Sequence, residues 1–418
     1  MAVQAQAQAV APWRLARATA TLLGGNVVQL ALQTAQFILI ARLLGAAQFA
    51  HVAAANALIT LAIPLAGFGY GNVLLMRVST DRSVLRTDFG NAQLATLVLG
   101  GCLVIAVALL ARIVYGSSVD LRLVALLGLS ELVLVRSITI LGQLYQAVDR
   151  VEVTSALSIG VGVCRVSAIA LVMARDQHDA LHWAVVACGL LLLFVLGAQL
   201  VSCRVLGVPC IGLARLWSQR SEAMHFSLGA GAKSLYTDLD KVFLGHCSGG
   251  VELGAYTAAY RLIVIAFLPV RALLDASATQ FYRRGAAGLA HSYGLTRRLL
   301  RIALPYGALA AAALIAGAQW APRVLGASFA PASTMLYALA PLPIIQATHY
   351  AFSDALTAAG LQNLRSRLQW ATAGAYAALA TLWIPAHGWR GAAAVCVLSE
   401  SLLALLVMLT VRRRMAAP

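Results

Sequence analysis

Seven charged residues fall within two apolar stretches between Ser221 and Arg284. Lys233, Asp238, Asp240 and Lys241 are on the first, and Arg261, Arg271 and Asp275 on the second. A charge near the centre of a bilayer costs about 2.5–3.5 kcal/mol on insertion scales, so several on one hairpin must face one another or a watery cavity. Guanidinium and ammonium groups in such a cavity suit a phosphate-bearing ligand, because a guanidinium fork grips phosphate oxygens in pairs. The carboxylates Asp238 and Asp240 could neutralise those cations or carry a coupling ion, H+ or Na+. Gly229, Lys233, Thr237 and Asp240 lie at helical spacing on one face, with Ser234 and Asp238 beside it. That row is either a cavity wall or an internal ion pair that fixes packing. The cavity is preferred, because ionisable residues inside a span mark function by default.

Arg136 and Arg165 add two cations on earlier apolar stretches, and Glu131, Asp354 and Glu400 are further acids. Each arginine alone could snorkel or pair; together with Lys233 and Arg261 they point to a cationic substrate site, with Glu131 a third candidate for coupling. Tyr236, Tyr256 and Tyr260 could stack on sugar rings, although core or interfacial roles are commoner for tyrosine. Nothing points to catalysis: no acid pair or nucleophile–base set stands out. His178 and His182 have i,i+4 spacing without a fitting third ligand, so no metal site is expected. The Gly67-Phe-Gly-Tyr-Gly71 turn has no Walker lysine, and GxxxxGK[ST] occurs nowhere, so no nucleotide cofactor is implied.

The elements that must position these residues are membrane helices. The chain has 418 residues, 61% hydrophobic and 11% charged, where soluble domains carry about 25% charged residues. The net charge of +16 invites a nucleic-acid reading, but the charges lie mostly in short gaps between apolar runs, which is membrane topology. The seven cysteines form no CxxC and read as small core residues. Twelve stretches are long enough to span: 19–40, 52–75, 92–114, 121–145, 153–173, 181–203, 222–245, 254–277, 298–320, 333–357, 366–386 and 390–411. The gap at 278–297 has room for an interfacial helix. Pro64, Pro269, Pro305, Pro341 and Pro343 lie within spans, where they would kink helices. Alternate gaps hold nineteen arginines, against six arginines and Lys241 in the others, which places both termini in the cytoplasm.

The two halves of the sequence resemble each other. Ala54/Ala258, Ala55/Ala259, Leu58/Leu262, Ile59/Ile263 and Ala62/Ala266 coincide at one offset near half the chain length. Leu44-Gly45 with Leu244-Gly245, and Ala187-Cys188 with Val395-Cys396, follow at similar offsets. The expected fold is an all-α polytopic membrane protein with about twelve transmembrane helices in two six-helix bundles, related by a parallel pseudo-repeat. Its divisions are a cytoplasmic N-terminal segment (1–18), a first bundle (19–203), a cytoplasmic linker (204–221), a second bundle (222–411) and a basic cytoplasmic tail (412–418).

Four motifs carry a family resemblance: Ala41-Arg-Leu-Leu-Gly45 with Phe49, Gly67-Phe-Gly-Tyr-Gly71, Leu239-Asp-Lys-Val-Phe-Leu-Gly245, and Gly254-Ala-Tyr-Thr-Ala-Ala-Tyr-Arg261. In these the chain resembles the bacterial polysaccharide-biosynthesis flippases of the multidrug/oligosaccharidyl-lipid/polysaccharide exporter superfamily. The resemblance implies two bundles facing across a V-shaped cavity, working by alternating access in the bacterial inner membrane. It implies an undecaprenyl-diphosphate-linked oligosaccharide as substrate, with a polysaccharide polymerase and chain-length or export proteins as partners, membrane lipids around it and no nucleic acid. Arg42, Asp240, Lys241, Tyr256 and Arg261 stand in the matching motifs; Arg136, Arg165 and Lys233 come from the charge argument alone. Two other readings remain: an ion-coupled multidrug or cation antiporter of the same superfamily, for which the cavity looks too basic, and a membrane enzyme acting on the same glycolipid, for which a large periplasmic loop is missing.

Overall fold

The structure is a computed structural model that describes residues 12–175, 179–248, 250–285 and 288–416. The side chains of residues 12–27 and of scattered later positions, among them Lys233, Tyr236 and Asp275, lie outside the described residues. The first half of the chain forms α1 (Pro12–Ala66), α2 (Tyr70–Thr80), α3 (Leu85–Tyr115) and α4 (Leu121–Gly128). A π turn (Leu129–Leu134) then leads into α5 (Val135–Ala147), followed by α6 (Val151–Met173) and α7 (Ala180–Leu206). After the short α8 (Leu213–Ser218), the second half forms α9 (Arg220–Cys247), α10 (Gly250–Ala276), α11 (Ala278–Gly285), α12 (Leu289–Gly317), α13 (Ala321–Leu325), α14 (Ala330–Leu339), α15 (Leu342–Ala358), α16 (Gln362–His387) and α17 (Trp389–Ala416).

All twelve expected stretches fall on these helices, but the count by length and apolarity is smaller. Among the described residues, eight helices are long and apolar enough to cross a membrane, or nine if one bent pair is a single span. Two features account for the difference. The run Val28–Ser79 counts once, yet its 52 residues would extend about 78 Å, far beyond a hydrocarbon core of about 30 Å. It is broken at Gly45, where φ 65° and ψ 173° leave helical space. Helices α9 and α16 are 28 and 26 residues long and are not among the eight; several side chains of α9 lie outside the described residues.

The breaks have local causes. At Gly69 (φ 79°) a Cβ would lie 2.1 Å from the Ala223 carbonyl oxygen, so only glycine both makes the turn into α2 and lets α9 approach. Pro341 stands at the joint of α14 and α15, where the path bends by 50°, and Pro343 follows in the first turn of α15, where its missing N–H does no harm. Pro64, Pro269 and Pro305 lie inside continuous helices, as does Pro385. Within the 278–297 gap the chain forms the short helix α11, and α12 begins nine residues earlier than its apolar stretch.

Large apolar side chains face outward: Ile105, Leu109 and Ile113 on α3, and Leu193, Leu196 and Leu200 on α7. In water each would forgo about 1.5–3 kcal/mol of burial, whereas hydrocarbon accepts them. The cysteines depart from expectation, since only Cys188 and Cys396 are buried, while Cys102, Cys210 and Cys247 are exposed.

Helix α1 is the joint between the halves, packing on α6 in the first and on α9 and α10 in the second. The two repeated segments thus meet face to face. Gly254 of α10 abuts α1 so closely that a Cβ would come 2.5 Å from the Ala46 carbonyl. At this end Arg42 donates to the carbonyls of Val324 (2.7 Å) and Arg323 (3.1 Å), and the Ser328 hydroxyl accepts the Ala46 N–H (3.0 Å). At the opposite end the start of α9 rests on the first half, with Ser227 donating to the Pro64 carbonyl (2.8 Å) and Glu222 paired with Arg77 (3.1 Å). The segment before it is a docked strap. Arg215 grips the buried Asp88 through two nitrogens (2.5 and 3.1 Å), Gln219 adds a third bond to Asp88, and Asn91 both donates to and accepts from the Gly212 backbone.

Candidate functional site

A cavity of about 550 Å³ lies between the halves. The π turn places Glu131 on its wall; such turns add a residue to the helical repeat and often mark functional positions. Opposite Glu131, Arg165 of α6 donates from Nη2 to the Glu131 carboxylate. Both side chains keep some exposure, 20% for Arg165 and 26% for Glu131, so the pair is reachable from the cavity.

On α9, Lys241 Nζ lies 2.9 Å from Asp238 and 3.6 Å from Asp240, donates to the Thr237 carbonyl at 2.6 Å, and sits 4.1 Å above the Tyr260 ring. Asp240 is wholly buried beneath it and accepts the Tyr256 hydroxyl at 2.5 Å. Two carboxylates hold one ammonium here, and a buried cluster of this kind persists only when each charge is paired or hydrogen-bonded, as the Tyr256 hydroxyl and the Lys241 backbone N–H do for Asp240. Arg261 of α10 differs. Its Nη2 reaches Gln33 of α1 at 3.5 Å, and among the described residues it has no carboxylate within ion-pair distance. Arg165 and Arg261, one from each half, both line this cavity. A ligand with two adjacent anionic groups could bridge them.

The cavity unites Glu131, Arg165, Asp238, Lys241, Tyr260 and Arg261, with Asp240 just behind. Three other expectations are corrected. Arg42 is spent on the backbone of residues 323 and 324 and does not line the cavity. Arg136 is packed behind the wall, with its Nε buried and unbonded among the described residues and close to Gly67. Tyr256 is fully buried with its hydroxyl committed to Asp240, so it cannot stack on a sugar; Tyr260 lines the cavity, but Lys241 covers one ring face. Lys233 and Tyr236 lie outside the described side chains. Nor is the cavity strongly cationic: with Asp240 included, its described acids and bases balance at three each. Its electrostatic character is local, a pair of guanidiniums in an otherwise compensated wall.

Sequence reasoning missed the amides. Gln29, Gln33 and Gln36 recur on one face of α1, and with Gln143 and Gln146 of α5 they line a second groove of about 340 Å³, which shares Gln33, Gln36 and Arg165 with the cavity. The signal was their helical spacing within an apolar stretch, which charge-seeking overlooked. A buried cluster on α15 and α17 was half seen, because Glu400 was noted but its partners were not. His349 Nδ1 lies 2.7 Å from Glu400, and Gln346 donates to the same carboxylate at 3.3 Å.

The sequence of residues 15–274, more than half of the chain, matches the family described as "Polysaccharide biosynthesis protein". The chain belongs to that family. Its fold is shared with solved transporters of the MOP superfamily. An inward-facing multidrug resistance MATE family transporter superposes with a TM-score of 0.77 at 12% identity, over 94% of this chain and 98% of that one. A MOP superfamily transporter from Pyrococcus furiosus, described as having a binding pocket of reverse polarity, gives 0.68 at 14% identity over 97% and 96%. An outward-facing MATE family transporter gives 0.62 at 14% identity over 96% of each. No curated protein matches the sequence. The family member described here is therefore an all-helical, multi-pass membrane protein with a MATE-like fold.

Proposed function

We propose that the protein is a flippase that carries lipid-diphosphate-linked oligosaccharide units, of the undecaprenyl type, across the bacterial inner membrane for polysaccharide assembly. The observation that carries this reading is the presence of Arg165 and Arg261, one from each half, on the lining of one cavity. A diphosphate bridging the two guanidiniums ties together the elements that must move apart to expose it, and the paired forks suit phosphate geometry.

In this reading the chain crosses twelve times, as two sets of six (19–203 and 222–411) joined by the 204–221 segment, with both termini cytoplasmic. The arginine bias then puts the sealed end, with Arg42, Arg323 and Ser328, on the periplasmic side, so the cavity faces the cytoplasm to load. Likeness to an inward-facing relative supports that orientation. Alternating access follows when the Arg42 contacts open and the far end closes. The chain has no nucleotide-binding motif, which leaves an ion gradient, the membrane potential or the substrate gradient as the drive. Of these we propose an ion gradient, carried by H+ or Na+. Glu131 is the acid best placed to couple it. A phosphate oxygen on Arg165 displaces the Glu131 carboxylate, which then takes the ion. Asp238 and Asp240 are held by Lys241 and come second.

The test is the double variant Arg165→Ala, Arg261→Ala in reconstituted vesicles, scored by access of an enclosed glycosidase to a lipid-diphosphate-linked sugar added outside. The expected outcome is loss of translocation with normal insertion. Translocation at the wild-type rate would refute the diphosphate bridge, and efflux of cationic drugs without glycolipid movement would favour the antiporter reading instead.

A further inference from the structure

We infer that the glutamine-lined groove between α1, α5 and α6 is the sugar-binding part of the site, taking uncharged units that bear hydroxyl and acetamido groups. This rests on the glycolipid reading above and adds where, and by which chemistry, the head group is recognised.

The groove begins where the diphosphate would be held, since Arg165 belongs to both spaces. Leaving that point, the lining changes character. Its other polar side chains are amides and hydroxyls, and the one charged group among the described residues, Arg165, is already matched by Glu131. Each glutamine amide presents a carbonyl acceptor and an NH₂ donor, the combination that pairs with sugar hydroxyls in both directions. Three of these amides, on Gln29, Gln36 and Gln146, make no hydrogen bond to the described protein. Gln29 and Gln36 are part-buried within an apolar stretch, where amides are costly unless water or a ligand satisfies them, while Gln146 is exposed at the end of α5, so the lining disfavours a lipid tail and favours a polar guest.

Other groups fix the groove's shape. Gln143 Nε2 donates to Asn72 of α2 at 3.1 Å, and the Thr154 hydroxyl donates to the Gly142 carbonyl at 2.8 Å. The walls between them are aliphatic, from Val135, Ile138 and Val161, and can rest against the C–H faces of sugar rings. The lining contains no aromatic ring among the described residues, so recognition runs through hydrogen bonds rather than stacking. The volume, about 340 Å³, falls within the ordinary range for small-ligand pockets, about 300–1,000 Å³.

The experiment compares two probes by microscale thermophoresis on the full-length protein in detergent. One is a short-chain prenyl diphosphate, and the other is the same molecule carrying a disaccharide of N-acetylglucosamine. The wild-type protein should bind the sugar-bearing probe about tenfold tighter or more, as several neutral hydrogen bonds would give. The double variant Gln29→Leu, Gln146→Leu should lose most of that increment and keep its affinity for the sugar-free probe, because those two side chains line the groove and not the cavity that would hold the diphosphate. The single variants Gln29→Leu and Gln146→Leu should each lose part of it, which keeps the test open if the double variant does not fold. An increment that survives in the variants, an equal loss for both probes, or no increment in the wild type would overturn the assignment. If the wild-type protein bound neither probe, the glycolipid reading itself would fall, and the groove's role with it.

Discussion

Replacing Glu131 by glutamine tests the coupling between substrate and ion most sharply, because the two effects it predicts have opposite signs. In the wild-type protein a phosphate oxygen must displace the Glu131 carboxylate from Arg165. A charge-assisted hydrogen bond is worth about 1.5–3 kcal/mol, and the neutral amide introduced in E131Q competes far less strongly. At about 1.4 kcal/mol per tenfold, E131Q should bind a prenyl diphosphate about ten- to a hundredfold tighter. The same substitution leaves Arg165 without its counterion. Breaking a fully buried pair costs about 3–5 kcal/mol, and because these side chains are 20% and 26% exposed the loss should be smaller, though still visible as a lower melting temperature. Equilibrium binding in detergent reads the first effect and thermal unfolding the second. Transport in vesicles should also lose its dependence on the ion gradient, because no carboxylate remains at this position to be loaded. Unchanged or weaker binding in E131Q would show that Glu131 and the phosphate do not contend for Arg165, and the exchange would have to be abandoned.

Three further substitutions probe the frame around the site. Asp88→Ala removes the buried anchor of Arg215 and Gln219; the strap over residues 207–219 should become sensitive to limited proteolysis, with stability falling by about 3 kcal/mol. Gly69→Ala places a methyl group against the Ala223 carbonyl at φ 79°, a clash and a strained conformation together worth about 1–3 kcal/mol; a fall in melting temperature of several degrees is expected, and an unchanged one would mean that α9 does not approach so closely. Tyr256→Phe leaves one Asp240 oxygen without its donor, so stability should drop by about 1–3 kcal/mol while sugar affinity stays the same, since the ring never touches the cavity.

Much of this arrangement is legible in the residues. The apolar runs fall on the long helices, and the isolated charges at 131, 165, 238, 241 and 261 do gather at one cavity, because charges at membrane depth have few places to go. What the sequence hid was pairing. Which cation Asp238 and Asp240 neutralise is settled only when both are seen folded around Lys241, and Arg42 reads as a site residue until its fork is seen on two carbonyls some 280 positions away. The π turn at 129–134 has no sequence mark, yet it lies beneath the aim of Glu131. The glutamine row failed to register for another reason. Amides carry no formal charge, so reasoning that weighs only ionic cost passes over groups whose value lies in hydrogen bonding.

Helix α9 belongs mechanically to both halves. Its first turns are stitched to α1 and α2 through Ser227 and Glu222, and the strap before it is clamped on α3, while Asp240 and Lys241 are knitted to α10 farther along. A rocking motion between the halves cannot leave such a rod straight. Either it flexes between Ser227 and Asp238, or the clamp on Asp88 lets go. The polar wall opposite Arg165 would then be tilted by the same bend that changes which side is open, making one helix at once the lever and part of the cargo hold.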